Sequence, residues 1–127
     1  MEQRLQQRMG QFQRALARLE DACAQPENEF IRDAVIQRFE FTFELAWKML
    51  KQRLSSEGLE ANSPAQSIRQ SIAAGLLDNG NQWTQMQKTR NLTSHTYDET
   101  MAQQVYSFVC QQAMPLFRQL AETSRKW

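Results

Sequence analysis

The sequence predicts an all-α protein, an up-and-down four-helix bundle with one additional short helix. Glycine and proline are scarce, at 4 and 3 of 127 residues, whereas an all-β chain would need many tight turns. Long stretches repeat apolar residues at helical spacing, and no stretch alternates as a strand would. The length suits one continuous core, so we expect a single domain over residues 1–127.

The composition limits which binding partners can be inferred from overall charge and hydrophobicity. Hydrophobic residues make up 41% and charged residues 23%, an ordinary balance for a soluble globular protein. The formal net charge of +1 gives no general attraction to nucleic acid or membrane, so an RNA ligand would need a local cluster. The amino terminus lacks an apolar leader and no apolar run approaches a membrane span, so we expect a cytoplasmic protein without membrane contact.

The first two predicted helices carry most of the apolar pattern. Leu5 to Cys23 places its apolar residues on one stripe, in steps of three and four, and Pro26 follows its end. The second helix runs from roughly Asn28 to Ser56 and is apolar around more than half of its circumference. It is therefore either the centre of the bundle or shared with a second subunit. Its broad face and flanks include Phe30, Ile31, Ala34, Val35, Phe39, Phe41, Thr42, Phe43, Leu45, Ala46, Met49 and Leu50.

Turn and capping signals delimit the shorter elements. Gly58 suits a C-terminal cap of the second helix. The string Ser63-Pro64-Ala65-Gln66 predicts a short third helix with Ser63 as its cap, Pro64 in the first position and Gln66 reaching back. A fourth helix is expected to begin near Asn81 or Gln82.

The final predicted helix runs from about Glu99 to Ser124. Its start is explained either by a capping box beginning at Thr96 or by Asp98 acting as a direct cap. Pro115 falls inside this helix and should kink it.

The two cysteines, Cys23 and Cys110, are far apart in the sequence and lack metal-ligand spacing. We expect free thiols in a reducing compartment rather than a disulfide. One histidine and two distant cysteines do not make a metal site, so we expect neither a metal nor a cofactor.

The residues best suited to chemistry lie in the string Arg90-Asn91-Leu92-Thr93-Ser94-His95-Thr96-Tyr97, which holds the chain's one histidine. Arg90 and His95 are five positions apart, about 140° of net rotation on a regular helix, so they would not share a face. A bend near Ser94 or a second subunit could bring them together. Asn91 and His95 are four apart and share a face, so Asn91 could orient the imidazole.

These side chains could cleave RNA without a metal ion. A neutral imidazole can accept the proton of a ribose 2′-hydroxyl, or an imidazolium can protonate the leaving oxygen. The fixed fork of guanidinium donors suits a phosphorane-like transition state. One histidine cannot easily perform both proton transfers, but two chains facing each other across a cleft could, which links the mechanism to a homodimer. Spacing alone favours the other interpretation, in which His95 is a helix-end residue with structural hydrogen bonds.

The string resembles the R-x4-H motif of HEPN domains, with a polar Asn91 after the arginine, and its extended R-x4-H-x-Y form in HepT-like toxins. The segment Phe39–Lys51 looks like the signature of the nucleotidyltransferase substrate-binding protein family, which lies in the same helical superfamily. Together with helix order, the two segments cover nearly the whole chain.

The resemblance implies a helical homodimer that works with a minimal nucleotidyltransferase, encoded next door as its antitoxin. By that resemblance, Arg90 and His95 are ribonuclease residues acting on RNA. Tyr97 is the position that the nucleotidyltransferase would modify with AMP. An added nucleotide would bring bulk and negative charge to the cleft and block RNA.

Other residues have two interpretations each. Glu40 and Glu44 either belong to a surface ladder with Lys48, or one of them holds Arg90 in place. Lys88 could add phosphate affinity. The two tryptophans that could stack on bases more often pack in a core; they are Trp47 and Trp83.

Three functions therefore remain open at this stage. The first is a metal-independent ribonuclease toxin. The second is a non-catalytic subunit that binds substrate for a nucleotidyltransferase. The third is a plain helical adaptor whose wide second-helix face serves only assembly.

Overall fold

The computed structural model describes residues 2–127, which form six α-helices and no strand. A 3₁₀ turn at Thr93–His95 follows the fourth helix, and a π-helical turn at Val109–Ala113 joins the last two helices into one continuous rod. The all-α prediction is confirmed. The helices are α1 (Glu2–Cys23), α2 (Glu29–Ser56), α3 (Pro64–Ala73), α4 (Gly80–Leu92), α5 (Glu99–Phe108) and α6 (Met114–Ser124).

Helix α2 is the centre of the bundle. It packs along α1 and also contacts α3, α4 and α5, which explains why apolar residues surround so much of it. The expectation fails at Phe30, which is 74% exposed although the neighbouring Ile31 packs against the core. The buried residues of α2 are Val35, Ile36, Phe39, Thr42, Phe43, Ala46, Met49, Leu50 and Leu54.

The ring of Phe117 joins the four main helices at one point. Phe12 of α1 and Trp83 of α4 meet it edge-on, each with a centroid distance of 5.9 Å, and Phe39 of α2 lies 6.1 Å away. Phe117, Phe12 and Phe39 are fully buried and Trp83 nearly so. Aromatic pairs in this geometry add to the stabilisation from burial itself, so the four helices are held in one packing arrangement.

Helix starts follow the predicted capping chemistry with one change. Ser63 Oγ accepts a hydrogen bond from the Gln66 N–H, and Asn28 Oδ1 accepts one from the Ile31 N–H at 2.9 Å. Gln66 does reach back, but its Oε1 accepts from the Asn62 N–H rather than from the cap residue. At α5 the direct cap is the correct alternative, because Asp98 Oδ1 accepts from two backbone N–H groups.

Gly58 ends α2 as expected, with a φ of +79° that a side chain would disfavour. The N–H of Gly58 bonds to Ser55 O and that of Leu59 to Leu54 O, the pair of bonds that defines a Schellman motif. Helix α4 starts at Gly80, one residue before the expected range. The Asn79 amide does not cap it, since Nδ2 donates instead to Gln119 Oε1 of α6 at 2.9 Å.

The disturbance expected around Pro115 takes the form of the π-helical turn directly before it. Proline has no N–H to donate and its ring clashes with the carbonyl one turn earlier in a regular α-helix. The Met114 N–H bonds to Val109 O, five residues back, which widens the helix at that point.

Two further expectations concern the whole chain. Cys23 and Cys110 are free thiols, as predicted. Among the helices of residues 2–127, none combines the length and apolar character needed to cross a bilayer.

Replacing Phe39 by alanine should lower the free energy of unfolding by about 3–5 kcal/mol, because it removes a fully buried ring and leaves a cavity. Phe30→Ala on the same helix is the matched control and should change it by less than about 0.5 kcal/mol. Urea denaturation followed by circular dichroism measures both. Equal losses for the two variants would contradict the assignment of the core.

Candidate functional site at the end of helix α4

At the end of α4, three hydroxyl side chains donate hydrogen bonds to backbone carbonyl oxygens and so shape the turn. Thr93 Oγ1 donates to Arg90 O at 2.7 Å, and Thr96 Oγ1 donates to Thr93 O at 3.0 Å. Ser94 Oγ makes a longer bond to Asn91 O at 3.4 Å. Such local bonds compete with continuation of the helix, so the chain tightens into the 3₁₀ turn and then leaves for α5. The chain therefore does bend near Ser94, which is one of the two possibilities that the sequence left open.

Arg90 is held between α2 and this turn. Its Nη1 donates to Thr93 Oγ1 at 2.9 Å and lies 3.5 Å from Glu40 Oε2. The side chain is 33% exposed, while Nε is buried and has no hydrogen-bond partner among the described residues. The guanidinium is therefore fixed on one side and reaches solvent on the other.

The two glutamates of α2 have different partners. Glu40 faces Arg90, whereas Glu44 Oε1 lies 3.5 Å from Lys48 Nζ and Glu44 Oε2 accepts from Trp47 Nε1 at 3.0 Å. The ladder interpretation therefore fits Glu44, and the interpretation that one glutamate holds Arg90 fits Glu40.

His95 and Tyr97 lie on the surface beside each other. Their rings meet edge to face, with centroids 6.4 Å apart and planes at 65°. His95 is exposed and Tyr97 is 88% exposed, so the imidazole and the phenol are both accessible to a large partner.

The described residues 2–127 contain no hydrogen bond from Arg90 or from the Asn91 side chain to His95. Arg90 is directed toward α2, whereas His95 is exposed in the 3₁₀ turn beyond the end of α4. Asn91 is exposed near the imidazole in sequence, and the bend alone does not bring the three side chains into contact.

A shallow groove of about 340 Å³ runs beside Tyr97, between α2 and the turn that leads to α5. Sequence reasoning missed most of its lining. Gln37 lies three residues before Glu40, and Asp33 lies four residues before Gln37. The three residues form a polar strip on α2 that could have been recognised from their spacing in the sequence. Thr93 lies three residues after Arg90, so the contact between their side chains could also have been predicted from the sequence. The groove is lined by Asp33, Ile36, Gln37, Glu40, Thr96 and Tyr97.

The remaining candidates behave as follows. Lys88 is exposed on α4. Trp83 is 2% exposed and packs on Phe117, and Trp47 is half-buried against the core, so both tryptophans serve packing. Within the part of the chain that the structure describes, no three His, Cys, Asp or Glu side chains are grouped to hold a metal ion.

The helical bundle of residues 2–127 carries Arg90, His95 and Tyr97, the three positions of the motif that resembles HEPN domains, around the end of α4. The family model for "Nucleotidyltransferase substrate binding protein like" matches residues 7–126, and the chain belongs to that family.

The chain is also similar to three individual proteins. A protein of Haemophilus influenzae named "Probable ribonuclease HepT" is 34% identical over 77 residues, which is 57% of this chain. The matched part spans only about half of that relative's length, 53%. A Thermus thermophilus protein of known crystal structure is 35% identical with a TM-score of 0.76, covering 91% of this chain and 96% of that one.

The third relative, also from Haemophilus influenzae, has a structure described as the fold of a substrate-binding domain of a nucleotidyltransferase. It is 25% identical with a TM-score of 0.69, covering 95% of this chain and 96% of that one. The two structures agree with a fold that extends over nearly the entire chain.

Replacing Thr93 by valine should lower the free energy of unfolding by about 1–3 kcal/mol, because it removes the hydroxyl that accepts a hydrogen bond from Arg90 and leaves only Glu40 to hold that guanidinium among the described residues. Thr89→Val is the matched control, since Thr89 is a buried threonine of α4, one turn earlier, whose hydroxyl bonds only to Gln85 O. Urea denaturation should show a larger loss of unfolding free energy for Thr93→Val than for Thr89→Val. In an Arg90→Met background, the difference in unfolding free energy between the two valine variants should become smaller. If it does not, Thr93 does not act by accepting a hydrogen bond from Arg90.

Proposed function

We propose that this chain is a metal-independent ribonuclease of the HEPN type, regulated by a minimal nucleotidyltransferase. One observation carries the proposal. A fixed guanidinium at Arg90, an exposed imidazole at His95 and an exposed phenol at Tyr97 lie at the same end of the bundle. The name of the Haemophilus influenzae relative supports the reaction class.

The proposed reaction uses the ribose 2′-hydroxyl as nucleophile. Attack on the adjacent phosphorus breaks the bond to the 5′-oxygen and leaves a 2′,3′-cyclic phosphate and a 5′-hydroxyl. His95 either accepts the 2′-proton or supplies a proton to the leaving oxygen. Arg90 stabilises the charge on the phosphoryl oxygens, and Glu40 and Thr93 hold its guanidinium in place. Asn91 and Lys88, both exposed on the same turn region, would contact the RNA strand.

The reaction needs two proton transfers and the chain contains one histidine. A homodimer that places two copies of His95 across one cleft supplies both groups. The outward direction of His95, away from Arg90 of its own chain, favours such an arrangement. In a dimer, Arg90 of one chain could also act on the same phosphate as His95 of the other chain.

Tyr97 is the proposed acceptor for AMP from a nucleotidyltransferase antitoxin in the cytoplasm. Its hydroxyl would attack the α-phosphorus of ATP and release pyrophosphate. Its 88% exposure supports access by a second enzyme, and its ring contact with His95 would place the added nucleotide over the imidazole. Bulk and negative charge at that position would exclude RNA.

A second candidate function is a non-catalytic subunit that binds substrate for a nucleotidyltransferase. The groove of about 340 Å³ beside Tyr97 supports it, as does the description of the structural relative as a substrate-binding domain. The groove carries Asp33 and Glu40, so this candidate would favour a neutral or cationic substrate group there.

The purified chain, free of its partner, should cleave a total tRNA pool in EDTA, and His95→Ala should lower the rate by about 10²–10⁴-fold. The reason is that the sole imidazole performs the proton transfer. Thr100→Ala, at an exposed position of α5, is the matched control and should cleave at the wild-type rate. Gel electrophoresis with end-group analysis of the 2′,3′-cyclic phosphate is the measurement.

Equal cleavage by wild type and His95→Ala would point to a contaminating nuclease and remove the proposal. If neither protein cleaves and mass spectrometry shows Tyr97 unmodified, the substrate-binding subunit takes its place.

Incubation with the nucleotidyltransferase encoded beside this chain and ATP labelled at the α-phosphate should attach labelled AMP to the chain, and Tyr97→Phe should abolish the label. The chain has two tyrosines, so Tyr106→Phe, which alters the half-buried one, is the control that should keep the label. Retention of label in Tyr97→Phe would exclude Tyr97 as the acceptor.

A further inference from the structure

The solvent side of α1 carries four arginines and no lysine. At 3.6 residues per turn, the four lie within about 120° of one another around the helix, beside its buried stripe. The other positions on that arc are glutamines and alanines, so the sequence places no acidic residue of α1 among the arginines. The four are Arg4, Arg8, Arg14 and Arg18.

Arg38 of α2 extends this row of cations across the contact between α1 and α2. Its Nη1 donates to the backbone O of Arg18 at 2.7 Å. The Arg18 guanidinium lies over the ring of Phe41, 5.6 Å from the centroid, and Phe41 is three residues after Arg38 on the same side of α2. The two helices therefore hold two guanidinium groups against the same stretch of α2, without a carboxylate in either contact.

These five arginines make no ion pair with the side chains that the structure describes. Arg4 with Arg8, and Arg14 with Arg18, are spaced four residues apart, and like charges at that spacing destabilise a helix. The surface thus carries positive charge that the described chain does not neutralise. By contrast, five arginines elsewhere in the fold each pair with a glutamate: Arg32, Arg53, Arg90, Arg118 and Arg125.

Gly10, in the middle of α1, makes room for one of the guanidinium groups. Glycine disfavours a helix interior relative to alanine. A Cβ at this position would lie 3.3 Å from Arg14 Nη1, so the Arg14 side chain lies back along α1 over the glycine. Its charge is thereby carried into the stretch between Arg8 and Arg14.

The end of the bundle that holds His95 has the opposite character. The groove beside Tyr97 is lined by Asp33 and Glu40. Of the two cations of α4, Arg90 is paired with Glu40, which leaves Lys88. Neutralisation of phosphates supplies most of the sequence-independent affinity of a protein for nucleic acid. A ribonuclease with this site therefore needs cations elsewhere on its surface.

We propose that the five arginines form a surface, called here the arginine surface, that binds the phosphate backbone of RNA outside the cleavage site. The choice of RNA rests on the ribonuclease activity proposed above. Guanidinium forks match phosphate oxygens and are more weakly hydrated than ammonium groups. The glutamines on the same arc supply uncharged donors of the kind that contact phosphate and sugar. The residues of the arginine surface are Arg4, Arg8, Arg14, Arg18 and Arg38.

The arginine surface and the cleavage site lie on different sides of α2. Arg38 and Glu40 are two residues apart, about 200° around a helix whose diameter is about 10–12 Å. Glu40 faces Arg90, so Arg38 faces away from it. A long or folded RNA can contact both regions at once, whereas a dinucleotide at His95 is too short to reach the arginine surface.

The experiment measures RNA binding apart from cleavage, in the full-length chain carrying His95→Ala. Fluorescence anisotropy of a labelled total tRNA pool, in EDTA and at several NaCl concentrations, gives the Kd and its salt dependence. Adding Arg14→Gln together with Arg18→Gln should raise the Kd by about tenfold at low salt. The slope of the logarithm of affinity against that of salt concentration should become shallower by about 0.7–0.9 for each arginine removed.

Lys51→Gln together with Arg69→Gln is the matched control, because it removes the same charge from two exposed cations on other parts of the surface. It should keep the Kd of the His95→Ala parent, and an equal loss of affinity in both double variants would overturn the arginine surface. The melting temperature by circular dichroism should be the same for both, since exposed side chains contribute little to stability. Arg4→Gln alone, near the start of α1, provides a second test and should change the salt slope by one such increment.

Cleavage separates this proposal from the ribonuclease itself. In the chain with its native histidine, Arg14→Gln with Arg18→Gln should lower kcat/KM on tRNA about tenfold and leave dinucleotide cleavage unchanged; an equal loss on the dinucleotide would overturn the proposal. An unchanged Kd for tRNA would overturn the arginine surface and leave the ribonuclease standing. RNA binding that needs the arginines, in a chain that never cleaves, would support the surface and remove only the ribonuclease. Poly-L-glutamate that binds as tightly as tRNA would overturn RNA as the ligand, in favour of an acidic protein.

Discussion

The architecture depends on the aromatic contacts made by Phe117. One ring touches Phe12, Phe39 and Trp83, and these four residues belong to α6, α1, α2 and α4. A single buried side chain therefore fixes the relative positions of the four main helices, because close-packed interiors tolerate few alternative arrangements. Trp83 matters most for the site. It anchors the first turn of α4, and Arg90 follows on the same helix two turns later.

The site combines that rigid support with an irregular helix end. Helix α4 carries Arg90 into contact with Glu40 of α2, so the guanidinium is held by two elements that are themselves packed in the core. Beyond Arg90, the hydroxyls of Thr93 and Thr96 draw the backbone out of the α-helix and leave His95 and Tyr97 on a turn. The charged group is thus preorganised, while the groups proposed to react or be modified reach solvent and a partner.

Much of the fold was predictable from local chemistry. The stripe of α1, the central position of α2 and the caps at Ser63, Asp98 and Gly58 all follow from spacing and from residue types with known backbone preferences. The exposure of Phe30 was not predictable, because periodicity describes an apolar face of a helix and does not say how much of that face the neighbouring helices cover.

The candidate site was only partly predictable for a related reason. The R-x4-H spacing singled out Arg90 and His95, but the offset of a regular helix does not apply to this pair, because α4 ends at Leu92 and His95 lies in the 3₁₀ turn beyond it. Which glutamate meets Arg90 depends on the register between α2 and α4, a tertiary quantity that neither sequence segment contains.

The same geometry limits what one copy of the chain can do under the proposed function. Arg90 faces inward to Glu40, and His95 faces outward beside Tyr97, so a single phosphate could not easily contact both without a change in the turn. The turn is braced by side-chain bonds to its own carbonyls, which makes such a change costly. In the proposed homodimer, the outward imidazole of a second copy would meet the solvent side of the first copy's guanidinium without movement of the turn. The proposed ribonuclease therefore requires the dimer for geometry as well as for its second proton transfer.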